Sequence, residues 1–181
     1  MANLWKKATK KTIPIYIISL LLVLFAKPDL KMYITGLLLI IAGELVRVWA
    51  AGHLRKNMEV TTTGPYAYVK NPLYLGTLFI MTGFSIMARN IYILAIGLMV
   101  FFFYYVPFKK GVESDRLRER FGDLWTRYDK HVPDYIPRIS PYPERGSKRW
   151  DLSIFIDNTE HGIVLIVLLG MAAIGVRLLF N

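Results

Sequence analysis

The chain has 181 residues, 54% of them hydrophobic, and a formal charge of +10; a soluble domain would sit nearer an apolar share of about 45–50%. It contains no cysteine, which excludes disulfides, thiolate catalysis, zinc–thiolate sites and iron–sulfur clusters. His53, His131 and His161 lie far apart without metal-ligand spacing, so no metal cofactor is expected.

The apolar excess is gathered into runs at 12–26, 32–51, 73–88, 91–108 and 162–180. A helix that crosses the hydrocarbon needs roughly 20 mostly apolar residues. The predicted architecture is therefore an all-α integral membrane bundle of about five transmembrane helices with a cytoplasmic amphipathic helix. The first and third runs are short and are expected to borrow interfacial turns or to cross a thinned bilayer. The first run has no small-residue cleavage site and is followed by further spans, so it reads as a span rather than a cleaved leader.

Lys and Arg set the orientation. Lys6, Lys7, Lys10 and Lys11 precede the first run; Arg55, Lys56 and Lys70 follow the second; a long basic segment from Lys109 to Arg149 follows the fourth. The opposite side carries only Lys27, Lys31 and Arg89. This pattern predicts a cytoplasmic N-terminus, an outer C-terminus and five crossings. The positive charge is thus a topology signal, and no nucleic-acid partner is expected, since the basic segment also carries many acids and no binding motif.

Inside the second run, Glu44 and Arg47 stand three residues apart on one helix face. Ionisable residues at membrane depth are costly unless paired, which marks the two as candidates for a substrate-facing polar pocket or for a pair that fixes helix packing. Between the second and third runs, Gly64-Pro65 and Asn71-Pro72 mark turns, and Pro72 suits the first turn of the following helix. Tyr66, Tyr68 and Tyr74 fit either an interfacial aromatic belt or a binding wall.

In 109–135, Leu117, Phe121, Leu124, Trp125, Tyr128 and Val132 recur at three- and four-residue steps, the pattern of an amphipathic helix. Lys109 and Glu113 extend the same row, as an (i, i+4) salt bridge or as a charged pair aimed at a cavity at lipid level.

Together these blocks resemble the isoprenylcysteine carboxyl methyltransferase and phospholipid methyltransferase superfamily. The first block is Gly64-Pro-Tyr66, then Lys70-Asn71-Pro72-Leu-Tyr74-Leu-Gly76; the second is Glu113-Ser114, then Leu117, Phe121-Gly122, Trp125, Tyr128 and Val132-Pro133. Gly43-Glu44 and Arg47 resemble the helix before the first block, and the likeness covers about 41–137. The resemblance implies a methyltransferase core over that range within one membrane domain, with S-adenosylmethionine as cofactor in a non-Rossmann pocket. It implies that Met58, Glu59, Val60, Thr61, Tyr66, Asn71, Pro72, Leu73 and Tyr74 line the cofactor. It further implies that Glu113 holds a polar part of the cofactor and that Lys109 engages the substrate, these two forming the catalytic pair. The acceptor would be a membrane lipid or another hydrophobic molecule at the cytoplasmic face. Asn71, Lys70, Lys109 and Ser114 depart from the family's histidine, two arginines and second glutamate. The run after Gly162 lies beyond the likeness and is expected only to anchor or oligomerise. Two other readings remain open: an NADPH-dependent sterol-type membrane reductase, and a non-enzymatic membrane scaffold.

Overall fold

The computed structural model describes residues 21–180, and the side chains of these apart from 104–113. The described residues are helical with no strand. After a helical turn at 21–24 come α1 (Leu30–Ala51), a 3-10 turn (Gly64–Ala67), α2 (Pro72–Met87) and α3 (Ile91–Met99). A π-helical stretch (Val100–Tyr105) runs into α4 (Val106–Phe121), followed by α5 (Asp123–His131), α6 (Leu152–Asp157) and α7 (Glu160–Leu179). Residues 12–20 of the first predicted span and the N-terminal lysines lie outside the described residues.

Among the described residues two helices, α1 with 22 residues and α7 with 20, are long and apolar enough to cross a membrane. The shorter apolar helices are Pro72–Met87 and Ile91–Phe103. At 16 residues, α2 is about 24 Å long, short of a hydrocarbon core of about 30 Å. Local chemistry sets the helix starts. Asp29 Oδ1 accepts from Met32 N at 2.9 Å and caps α1, Pro72 opens α2, and Asn90 Oδ1 accepts from Ile93 N at 3.1 Å and caps α3.

Helices α1 and α2 run antiparallel and nearly touch. Gly36 faces Gly83, and Gly43 faces Gly76, so that a Cβ on Gly43 would lie 2.7 Å from the Gly76 carbonyl oxygen. Glycines seven residues apart on both helices clear a seam along which the backbones approach, a common device where lipid supplies no hydrophobic drive. Helix α7 closes over this pair. Val167 and Ile174 are buried with Ile40, Ile80 and Met87 in one apolar cluster, and the Tyr33 hydroxyl donates to the Met171 carbonyl at 3.2 Å.

A second cluster forms the polar head of the molecule: Ala67, Trp125, Tyr128, Val132 and Tyr142, flanked by Leu117 and Phe121. The predicted amphipathic row is therefore buried at Trp125, Tyr128 and Val132, whereas Leu124 is exposed. The helix is not continuous, because Gly122 at φ +51° breaks it between α4 and α5. At its other end the helix does not start at a loop: α4 continues the fourth apolar run through the π-helical stretch, so one rod leads from the apolar layer into the head.

Candidate active site

Where the apolar layer meets the head, a cavity of about 730 Å³ opens between α1, α2, α4, α5 and the start of α7. Its volume falls within the range of roughly 300–1,000 Å³ typical of small-molecule sites. One wall is the segment from Leu54 to Thr61, fixed at several points. The Arg55 N–H donates to Thr61 Oγ1 at 3.2 Å, the Gly146 N–H donates to Thr62 Oγ1 at 3.0 Å, and His53 Nδ1 meets Thr63 Oγ1 at 3.0 Å. Burial, and then the Arg55 charge, hold the His53 imidazole below its ordinary value, so the neutral ring is favoured. Glu59 pairs with Lys148 and, at 3.7 Å, with Arg55. The chain from Arg138 to Asp151 straps this wall in place, with Trp150 Nε1 donating to the Val48 carbonyl at 2.9 Å.

The second wall is the first motif block. Tyr66, Asn71, Pro72, Leu73 and Tyr74 all line the cavity. The Tyr128 hydroxyl donates to the Tyr66 carbonyl at 2.8 Å; burial, then the neighbouring Asp129 charge, push that phenol above its ordinary value, so it stays a donor. Lys70 is gripped by two carboxylates, with Nζ 2.6 Å from Asp129 Oδ1 and 2.8 Å from Asp134 Oδ1. Asn71 Nδ2 donates to the Asp134 carbonyl at 3.2 Å. These contacts staple α5 and the turn after it onto the first block, with Lys70 as a structural cation between two acids.

The third wall comes from the second block, with Ser114, Leu117, Trp125 and Tyr128 on the lining. Trp125 Nε1 is buried there with no hydrogen-bond partner among the described residues. An orphaned donor in a cavity wall is a position that a ligand oxygen or nitrogen can satisfy.

The fourth wall is where the structure departs most from the sequence reading. Arg47 does not pair with Glu44. Its Nη2 donates to Glu160 Oε2 at 2.5 Å, and its Nη1 to Thr77 Oγ1 at 2.6 Å and to the Leu73 carbonyl at 3.2 Å. Asn158, Thr159 and Glu160 line the cavity with Arg47, so the last helix does more than anchor. The carboxylate oxygens of Glu44 are buried without a hydrogen bond among the described residues.

Of the residues singled out from sequence, the cavity thus gathers Arg47, Glu59, Val60, Thr61, Tyr66, Asn71, Pro72, Leu73 and Tyr74. Met58 is left outside, its side chain 73% exposed, and Glu44 is absent from the lining. The side chains of Lys109 and Glu113 lie outside the described residues. Asn158 and Glu160 escaped the sequence reading, although asking which acid could neutralise a membrane-level arginine would have brought Glu160 forward as a second choice beside Glu44.

The chain is 28% identical over 121 residues to the cobalt-zinc-cadmium resistance protein CzcN of Cupriavidus metallidurans, covering 66% of this chain and 54% of that protein. It is 29% identical over 107 residues to the nickel-cobalt-cadmium resistance protein NccN of Alcaligenes xylosoxydans xylosoxydans, covering 58% and 49%. The chain therefore spans about half the length of these curated relatives. No solved structure matches it. Residues 32–123, just over half of the chain and the stretch that carries the first two cavity walls and part of the other two, match the phospholipid methyltransferase family, and the chain belongs to that family.

Proposed function

We propose that the protein is an integral membrane methyltransferase that uses S-adenosylmethionine to methylate a lipidic or other hydrophobic acceptor at the cytoplasmic membrane face. The observation that carries this reading is the convergence of the two motif blocks, separated in sequence by a helical hairpin, on one cavity at the base of the apolar layer. In the proposed reading the water-soluble cofactor enters this cavity from the head and the lipid from the side.

The family's cofactor fits the lining. Asn71, Thr61 and the orphaned Trp125 N–H offer polar contacts, and the Tyr66 and Tyr74 rings suit a sulfonium cation. Glu113 and Met58 are included on the family resemblance. When bound, the cofactor supplies an electrophilic methyl group; the protein's own task is to align the nucleophile and exclude water. Lys109 is proposed to engage the acceptor, and Arg47 and Glu44 to shape the polar end of its site.

The proposed topology has five crossings, with the N-terminus and head in the cytoplasm. The basic strap from Arg138 to Arg149 is tied to the segment after Arg55 and Lys56 by the Lys148–Glu59 pair and the Gly146–Thr62 bond, which accords with the charge bias. Because the chain has no cysteine, single cysteines at Lys7 and Ser147 should label only from the cytoplasmic side and one at Asn181 only from outside.

The deciding experiment is a thermal melt of the purified protein in detergent with S-adenosylmethionine or NADPH, followed by incubation with methyl-labelled cofactor and a membrane lipid extract. A rise in melting temperature with S-adenosylmethionine and label in a lipid product support the reading. Stabilisation by NADPH alone would favour a reductase, and by neither a scaffold. Both curated relatives bear metal-resistance names; a methyltransferase that alters membrane lipids would fit such a setting, and growth of a deletion strain in graded zinc would test it.

A further inference from the structure

The cavity's membrane-side end is built by a residue outside the family match, Glu160. Glu160 begins α7, is 5% exposed and lies on the cavity wall. Arg47, which holds it, is itself locked to Thr77 Oγ1 and the Leu73 carbonyl on α2. One oxygen, Oε2, takes the Arg47 bond, which leaves Oε1 as the oxygen a ligand can address.

Other contacts also dock α7. Asn158 Nδ2 already clamps the helix start to the Ala51 and Leu54 carbonyls at 2.9 and 2.8 Å, and Val167 and Ile174 bury its apolar face. For holding helices together, a buried ion pair is often no better than apolar residues of the same volume. The backbone also meets a cost to place Glu160, since the β-branched Thr159 sits at φ +60° immediately before it.

We infer that Glu160 is a catalytic residue of the acceptor site: Arg47 positions its carboxylate so that Oε1 accepts a hydrogen bond from the N–H or O–H of the acceptor's nucleophile and receives that proton as the methyl group is transferred. The nucleophile–carbon bond forms as the carbon–sulfur bond breaks, the electron pair of the broken bond stays on sulfur, and the proton moves from the nucleophile to Glu160 and on to solvent. The inference rests on the methyltransferase reading above.

The wild-type protein separates the two failures. If it shows neither a melting shift with S-adenosylmethionine nor label transfer to lipid extract, the methyltransferase reading falls and this inference with it. If both are seen, Glu160→Gln, which keeps the volume and removes the charge, is compared with wild type. The expected result is at least an about tenfold rise in the lipid-extract concentration giving half-maximal methylation, the loss of one charge-assisted hydrogen bond. The melting shift produced by lipid extract without cofactor should also shrink, while cofactor affinity stays within about twofold. Unchanged lipid dependence, or an equal loss of cofactor affinity, would overturn the assignment. The exchange Arg47→Glu with Glu160→Arg is the second arm. It should recover melting temperature relative to either single variant without recovering lipid dependence; recovery of both would reduce the pair to a structural clamp. If Glu160→Gln does not fold, Glu160→Asp, which withdraws the charge by one methylene, is read against the same two outcomes.

Discussion

Gly43 on α1 and Gly76 on α2 face each other so closely that a Cβ on either would lie 2.7 Å from the other's carbonyl oxygen, and a Cβ on Gly76 would also lie 2.5 Å from Arg47 Cγ. The seam that packs the helices is therefore the space that lets the Arg47 arm reach the cavity. Gly76→Ala should force the backbones apart at a cost of about 1–3 kcal/mol. Gly162→Ala, on α7 with nothing within 4 Å of the added carbon, should be neutral or stabilise by up to about 1 kcal/mol. Unfolding of the two variants in the same detergent checks the contrast; equal melting temperatures would mean that the seam yields.

Lys70 joins the head to the first motif block through Asp129 and Asp134. Its side chain is 10% exposed and the acids are 33% and 23% exposed, between the surface and buried regimes. Lys70→Met should destabilise the protein by about 1.5–3 kcal/mol, the range for hydrogen bonds to charged groups, and should loosen α5 first. Hydrogen exchange over Asp123–His131 is the measurement. Protection unchanged from wild type would show that the Tyr128 and Val132 packing alone holds the helix.

His53 predicts a pH dependence. Burial and the Arg55 charge lower its proton affinity in the folded state. A depressed histidine contributes stability that is complete above its unfolded value of about 6.5 and is lost as pH falls toward the folded value. The melting temperature should therefore decline as pH drops below about 6.5, and His53→Phe should flatten that decline. A parallel decline in the variant would assign the effect to other groups.

Part of this fold was legible because it is written in apolar runs. α1 and α7 begin within two residues of the second and fifth apolar runs, since run length against bilayer thickness is a local property. The convergence of the two motif blocks was legible only through family likeness. What escaped was pairing at a distance. Arg47 has Glu44 one turn away, the obvious partner by spacing, yet its guanidinium bridges to Glu160, 113 residues further along. Periodicity orders a helix face but does not say which other helix meets it. The Gly36, Gly43, Gly76 and Gly83 seam is the signal that would have paired α1 with α2, because two glycine pairs each seven residues apart mark facing stripes. The break at Gly122 escaped for a different reason: an apolar row continues across it, and only a positive φ reveals the turn.

Trp125 provides the sharpest separation of ligand binding from stability. Its ring packs 5.8 Å from Tyr128 in the head cluster, while its N–H, buried in the cavity wall, has no partner among the described residues. A buried donor without an acceptor costs about 1–3 kcal/mol, and a ligand that supplies the acceptor recovers much of it. Trp125→Phe keeps an aromatic ring and deletes the donor. In the ligand-free protein the variant loses packing volume but no hydrogen bond, so its melting temperature should fall only modestly. With S-adenosylmethionine, the affinity should fall by about tenfold, equivalent to about 1.4 kcal/mol, and the cofactor-induced melting shift should shrink accordingly. The opposite pattern, a large loss of stability with cofactor affinity intact, would place Trp125 in the packing of the head alone and leave its N–H to another ligand. Calorimetric titration of both proteins in the same detergent, beside their ligand-free melts, distinguishes these outcomes.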